Sequence, residues 1–286
     1  MAKQKSKGIQ EKLKVLDLEL NKIINCKFSL GEGLLVKPNK KFWVDINKSI
    51  LAAYEHNSLS HYNLDFIPSI VFEEEENKVI LGSDKGIIDF SLSNQTKIIT
   101  SKAPDILKEF RSNDGGYFSG DKLLSFMHKE SPEENTGFIF KISNNSFEIF
   151  DKTMSIPNTF IEIEKSKIII SDSLTGEIWL FEISKKGSIK KTLWTKLKKS
   201  CVPDGGCLVG DFVLISLWDD SSIGVFSKKG ELLQRINLPV KRPTNCKFDL
   251  SQNQLWITSA HEGLTNKQLL KYPLSGDTFV FDVKIL

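Results

Sequence analysis

Cysteine is scarce in this sequence: four in 286 residues, Cys26, Cys201, Cys207 and Cys246. No two stand at C-x-x-C spacing, which excludes a zinc knuckle and a thioredoxin-type motif, and so few in a chain this long read as reduced thiols. Histidine is as rare. His56, His61, His128 and His261 show neither H-E-x-x-H nor any other metal-ligand spacing, and His56 and His61 read as solvated loop residues. The sequence has no G-x-S-x-G elbow, no G-x-x-x-x-G-K-S/T phosphate loop and no G-x-G-x-x-G ahead of a helix, which sets aside the chemistries those motifs serve. Neither sign of charge is in excess, with 39 basic against 36 acidic side chains, so no nucleic acid or anionic membrane is called for. No apolar run approaches the roughly 18 residues of a membrane span. The first ten residues lack an apolar stretch of the signal-peptide kind. Lys3, Lys5 and Lys7 read as part of a solvated basic tail over residues 1–11, and a cytoplasmic location is the expectation.

What the sequence does hold is short strands. Apolar or alternating runs at residues 42–46, 69–72, 78–82, 87–92, 137–142, 167–171, 177–183, 212–217, 223–226 and 254–258 are each closed by a Gly, Asn, Asp, Ser or Lys cluster. Helical periodicity is scarce; residues 9–20 fit an amphipathic helix, but 15–20 fit an opening strand equally well. Many short strands without helices leave a large sandwich or a propeller. A weak repeat chooses between them. Lys41-Phe42-Trp43-Val44-Asp45 has counterparts beginning at Lys78, Lys167, Phe212 and Gln254. These starts lie roughly 40 to 50 residues apart, or about twice that where a copy is skipped, which is the length of a four-stranded propeller blade. The expectation is an all-β, six-bladed β-propeller of four-stranded blades, one domain over residues 12–286. Its ring would close by pairing residues 15–20 with residues 278–285.

Four segments carry polar side chains in Gly- or Pro-shaped settings: Leu30-Gly31-Glu32-Gly33, Arg111-Ser112-Asn113-Asp114-Gly115, Ile156-Pro157-Asn158 and Val202-Pro203-Asp204-Gly205. Singly each reads as a turn where a strand begins. Together and in order, with Phe42-Trp43-Val44-Asp45-Ile46, Ser171-Asp172-Ser173, Trp218, Gly230, Leu238-Pro239-Val240, Pro243-Thr244 and Leu255-Trp256-Ile257-Thr258, they resemble the gluconolactonase/regucalcin (senescence marker protein) family over roughly residues 12 to 284.

The resemblance implies a metal-dependent lactonase of sugar catabolism with one divalent cation on the propeller axis. Glu32, Asn158 and Asp204 would be its ligands. Arg111, Asn113 and, by its place after Phe126-Met127, Glu130 would face the substrate. Oxygen ligands suit Ca²⁺ or Zn²⁺, with Mg²⁺ and Mn²⁺ also admissible. Asp204 would double as the catalytic base toward a metal-activated water, and the partner would be a small sugar lactone. The chain departs from the family pattern at Leu34 and Leu35, at Tyr117-Phe118, at Thr159 in place of a glycine and at Ser125-Phe126. Most of these positions lie on the substrate side. His128 could take over a substrate contact or sit on the rim. Two other readings stay open: a metal-dependent esterase or phosphotriesterase with Tyr117, Phe118 and Phe126 at an apolar mouth, and a non-catalytic propeller that binds calcium or a partner.

Overall fold

The computed structural model describes residues 15–286; the tail expected over residues 1–11 lies outside them. Its first strand, β1 (Leu16–Ile24), belongs to the last sheet. Blade 1 follows with β2 (Gly31–Val36), β3 (Lys40–Asp45), β4 (Ile50–Glu55) and β5 (Ser58–Asn63). Blade 2 is β6 (Pro68–Glu75), β7 (Lys78–Ser83), β8 (Gly86–Ser91) and β9 (Lys97–Lys102). Blade 3 is β10 (Phe110–Phe118), β11 (Asp121–His128), β12 (Phe138–Ser143) and β13 (Ser146–Asp151). Blade 4 is β14 (Pro157–Glu164), β15 (Lys167–Asp172), β16 (Glu177–Ile183) and β17 (Ile189–Lys196). Blade 5 is β18 (Val202–Val209), β19 (Phe212–Trp218), β20 (Ser222–Ser227) and β21 (Leu232–Asn237). Blade 6 is β22 (Arg242–Asp249), β23 (Gln254–Ala260) and β24 (Thr278–Ile285), completed by β1, which runs antiparallel to β24 with Leu16 opposite Ile285. This is the six-bladed propeller expected, closed by the strands expected to close it. Residues 16–20 are strand, not helix.

The recurring sequence element is the second strand of a blade: β3, β7, β15, β19 and β23. The skipped copy is β11, in which Leu123-Leu124 precede Ser125 as in the other copies. These strands read as continuous apolar runs because both of their faces are buried. In β15, Ile168 and Ile170 pack with Phe118 and Leu123 of blade 3, while Ile169 packs with Val213 and Ile215 of blade 5. Six apolar clusters fill the six seams between neighbouring blades in this way, and each fully buried side chain of this size contributes about 1.5–3 kcal/mol. Outer strands are exposed. β17, Ile189–Lys196, carries three lysines, which discourage pairing with another sheet edge.

One seam also holds a buried ion pair. Lys41 Nζ lies 2.8 Å from Asp249 Oδ2, joining blade 1 to blade 6, with both side chains almost fully enclosed and the ammonium over the Trp256 ring at 5.1 Å. Lys41→Met should leave an uncompensated buried carboxylate and cost about 3–5 kcal/mol, read as a lower denaturant midpoint with an unchanged slope.

The sequence reading missed one helix, α1 (Asn266–Lys271), between β23 and β24. It starts at a capping box in which Thr265 and Gln268 exchange hydrogen bonds, the S/T-x-x-E/Q signal. It buries no side chain, so apolar periodicity could not reveal it.

Candidate active site on the propeller axis

Each blade's first strand lines the central channel and is paired on one side only. Each breaks register near its middle: between Glu32 and Leu35, Pro68 and Ile70, Ser112 and Gly115, Asn158 and Ile161, Pro203 and Gly206, and Pro243 and Cys246. Such bulges re-aim side chains. A tripeptide ending in a polar residue marks every break: Leu30-Gly31-Glu32, Ile67-Pro68-Ser69, Arg111-Ser112-Asn113, Ile156-Pro157-Asn158, Val202-Pro203-Asp204 and Arg242-Pro243-Thr244. Its third residue is polar and buried. Its second is often proline, which an edge strand tolerates because the missing N–H has no partner to lose. The segments that read as turns in sequence are therefore mid-strand bulges.

Glu32, Asn113, Asn158 and Asp204 meet at the floor of one cavity of about 200 Å³, with Arg111 beside them. Asn158 Nδ2 donates to Asp204 Oδ1 at 2.5 Å and Asn158 Oδ1 accepts from Thr159 N at 2.9 Å. Glu32 Oε2 accepts from Gly33 N at 2.9 Å and from Asn245 Nδ2 at 3.2 Å. Arg111 Nη1 donates to Asn113 Oδ1 at 2.9 Å and to Ser112 O at 3.0 Å, while Asn113 Nδ2 donates to Pro157 O at 3.1 Å. The guanidinium is thus aimed by an amide that is itself tied to the next blade.

Two features hold this floor in place. Thr159 occupies left-handed backbone, φ 59°, which a β-branched residue rarely adopts. Its hydroxyl lies 2.8 Å from Ser171 Oγ and donates to the Asp204 carbonyl, so buried hydrogen bonds secure a strained residue and link blade 4 to blade 5. Gly205 lies against Asn245, and a Cβ there would overlap the Asn245 amide. Gly205→Ala should push Asn245 off Glu32 and lower divalent-cation affinity about tenfold or more, as loss of a supporting hydrogen bond does at metal sites. Isothermal titration with Ca²⁺ measures this.

The electrostatics are unusual. Burial raises the Glu32 carboxyl to about 8, and nearby Asp114 adds to the effect. Burial also raises Asp204 well above the usual carboxylate range, with Glu32 and Asp114 reinforcing it. Asp114 is raised by burial as well, though Lys247 and the backbone N–H groups of Gly115, Thr159 and Phe160 oppose this. Burial lowers the Arg111 guanidinium, against the pull of Glu262, Glu32 and Asp204.

Two adjacent buried carboxylates that share a single guanidinium keep a net negative charge and favour a bound cation. The donor set fits one. Glu32 Oε1 and Asp204 Oδ2 take no part in the hydrogen bonds above, the two carboxyl groups lie within hydrogen-bonding reach of each other, and Asn158 Oδ1 keeps a lone pair. These are hard oxygens with room for water. Among the described residues no group of three His, Cys, Asp or Glu could hold a metal ion, so any cation here would rely on the amide as well as the two carboxylates.

The structure brings Glu32, Arg111, Asn113, Asn158 and Asp204 to one cavity. It does not bring Glu130 there: that residue is exposed beyond the end of β11. His128 is also outside. Its ring packs on Phe110 at 5.3 Å, and its Nδ1 accepts from the backbone of Glu130 and Ser131. Nor do Tyr117, Phe118 and Phe126 form the mouth. Phe118 and Phe126 are buried in seams, and the Tyr117 hydroxyl donates to Glu73. The apolar wall is made instead by Leu30, Ile46, Met127, Ile156, Val202 and Trp218. Sequence reasoning also missed Asn245 and Glu262. The six-fold tripeptide was the signal for Asn245, which directly follows one copy. Glu262 sits in the loop after β23 and carries no such mark.

Residues 30–261 match the model of the family described as SMP-30/Gluconolactonase/LRE-like region. Regucalcin of Bos taurus is 28% identical over 114 residues, 38% of this chain and 38% of the relative's length, so the match spans well under half of that protein. The crystal structure of a calcium-binding protein, regucalcin, from Agrobacterium tumefaciens superposes with a TM-score of 0.86 at 18% identity, covering 93% of this chain and 95% of that one. A gluconolactonase from Xanthomonas campestris gives 0.71 at 14% identity, covering 92% and 89%. At such identities these structures share the fold. The family match extends over most of the chain and takes in every residue of the cavity floor, and on that ground this protein belongs to the SMP-30/gluconolactonase/LRE-like family.

Proposed function

We propose that this protein hydrolyses a small lactone in a reaction that depends on one divalent cation held by Glu32, Asn158 and Asp204. The observation that carries the reading is the convergence of two buried carboxylates, an amide and a guanidinium in one cavity. The calcium-binding description of the Agrobacterium relative and the gluconolactonase from Xanthomonas lend it support. Ca²⁺ is the first ion to test, then Zn²⁺, Mg²⁺ and Mn²⁺.

When bound, the cation would neutralise the two carboxylates, polarise the ester carbonyl and ease deprotonation of a water. The chain's own residues do the rest. Asp204 Oδ2, left free by Asn158, accepts the proton of the attacking water. As the water oxygen bonds to the carbonyl carbon and the ring C–O bond breaks, that proton passes to the departing alkoxide, giving a hydroxy acid. Arg111, held by Asn113, donates to the oxygen on which negative charge develops. Asn113 acts mainly by orienting Arg111, since both ends of its amide are engaged. The buried floor limits competing water.

Purified protein should open D-glucono-δ-lactone or a simpler δ-lactone in a pH-stat assay. EDTA should abolish the rate and added Ca²⁺ or Zn²⁺ should restore it; equal rates with and without chelator would sink the reading.

A further inference from the structure

Resting on the lactonase reading, we infer that the substrate is a neutral lactone bearing an alkyl or aryl substituent, not a polyhydroxylated sugar lactone. The inference comes from how the wall above the floor is built. Leu30, Ile156 and Val202 occupy the first place of the inner-strand tripeptide. Ile46, Met127 and Trp218 come from the ends of second strands or just beyond. Together they form an apolar collar within the cavity lining.

Polar groups on the wall are few, and some are already engaged. The Ser173 hydroxyl, which lines the cavity, donates to Pro203 O at 2.7 Å. Arg111 turns Nη1 inward to Asn113. Glu262 is the remaining polar side chain of the wall. A sugar lactone carries a hydroxyl on most ring carbons, and each one set against this collar would lose its water without gaining a partner. An alkyl or aryl substituent would instead bury apolar surface there.

Charge points the same way. Glu32, Asp204 and Glu262 face one guanidinium in the cavity. A divalent cation would bring the set close to neutrality, leaving no surplus positive charge for a substrate carboxylate or phosphate.

The test compares kcat/KM for δ-nonalactone and D-glucono-δ-lactone, which share a six-membered ring, in the Ca²⁺- or Zn²⁺-loaded protein. Phenyl acetate serves as an open-chain control. The alkyl lactone should be favoured at least about tenfold, the discrimination expected when several methylenes enter an apolar pocket. Met127→Gln and Val202→Thr, two nearly isosteric changes on different blades, should each reduce that preference severalfold. A preference for gluconolactone, or a ratio unmoved in both variants, overturns the inference and leaves the lactonase reading standing. Turnover of phenyl acetate alone, or of none of the three, overturns both.

Discussion

Asp204→Asn should lower lactone kcat/KM by about 1000-fold or more while leaving the propeller folded. General-base catalysis is typically worth about 10²–10⁴-fold, and loss of a charged ligand adds to that. Asparagine keeps the shape of the side chain, so the hydrogen bond from Asn158 and the contact of Thr159 with the Asp204 carbonyl survive. What disappears is one negative charge from a buried pair and the carboxylate oxygen assigned to take the proton. Far-UV circular dichroism should be unchanged, and calorimetric Ca²⁺ titration should show weakened binding. A variant within tenfold of wild type would remove Asp204 from the mechanism. Glu32→Gln is the companion experiment. It should weaken the cation similarly, but leaves the proton acceptor in place, so excess metal should rescue it further than it rescues the Asp204 variant.

Stripped of divalent cations, the protein should become less stable as pH rises from about 4.5 to about 8. The Glu32 carboxyl stands near 8 in the folded chain against 4.5 for an ordinary glutamate, and Asp204 is raised in the same direction. Between those values the folded state holds protons that the unfolded state has released. The stabilisation is therefore full below the unfolded value and drains away as pH climbs through the folded one. Each proton so held is worth about 1.4 kcal/mol per pH unit, for a total of roughly 3–5 kcal/mol from Glu32. Urea denaturation with EDTA at about pH 5 and about pH 8 reads this directly. Ca²⁺ should abolish most of the difference, since a bound cation replaces the protons, and Asp204→Asn should shrink it without metal. A flat profile after chelation would show that the floor carboxylates ionise freely and that burial does not govern them.

The two expectations come from the same residues whose local sequence misled. Pro157-Asn158 and Pro203-Asp204-Gly205 look like turns because a turn and a bulge ask the same things of a residue: a fixed or permissive φ and no need of a ladder N–H. Only the ring tells them apart, by placing one edge of each inner strand against a channel. The blades themselves were legible because their second strands are enclosed on both faces, and a strand such as Ile168-Ile169-Ile170 has no solvent side to disguise it. Blade 3 was harder. Its copy, Leu123-Leu124-Ser125-Phe126, continues in an apolar residue, as those at Ser216-Leu217 and Asp45-Ile46 also do, but is followed by no close turn signal. Arg111 and Asn113 do line the cavity, whereas Glu130 lies outside it, because the turn after β11 carries that residue outward. Tyr117, Phe118 and Phe126 follow the alternation of their strands rather than the location of the mouth. Glu262 was invisible for a simpler reason: its loop has no regular geometry for a sequence pattern to report.

Ring closure has a consequence in time. Glu32 and Asn245 are hydrogen-bonded although 213 residues separate them, and blade 6 is complete only when β24 has met β1. A nascent chain emerging from the ribosome carries Glu32 early, but its hydrogen bond from Asn245 forms only when the sixth blade docks against the first. On the proposed function, cation capture would therefore be a late event of biogenesis, and occupancy of the centre would report that the whole circle has closed. A fragment lacking β24 could fold several blades and still have no floor.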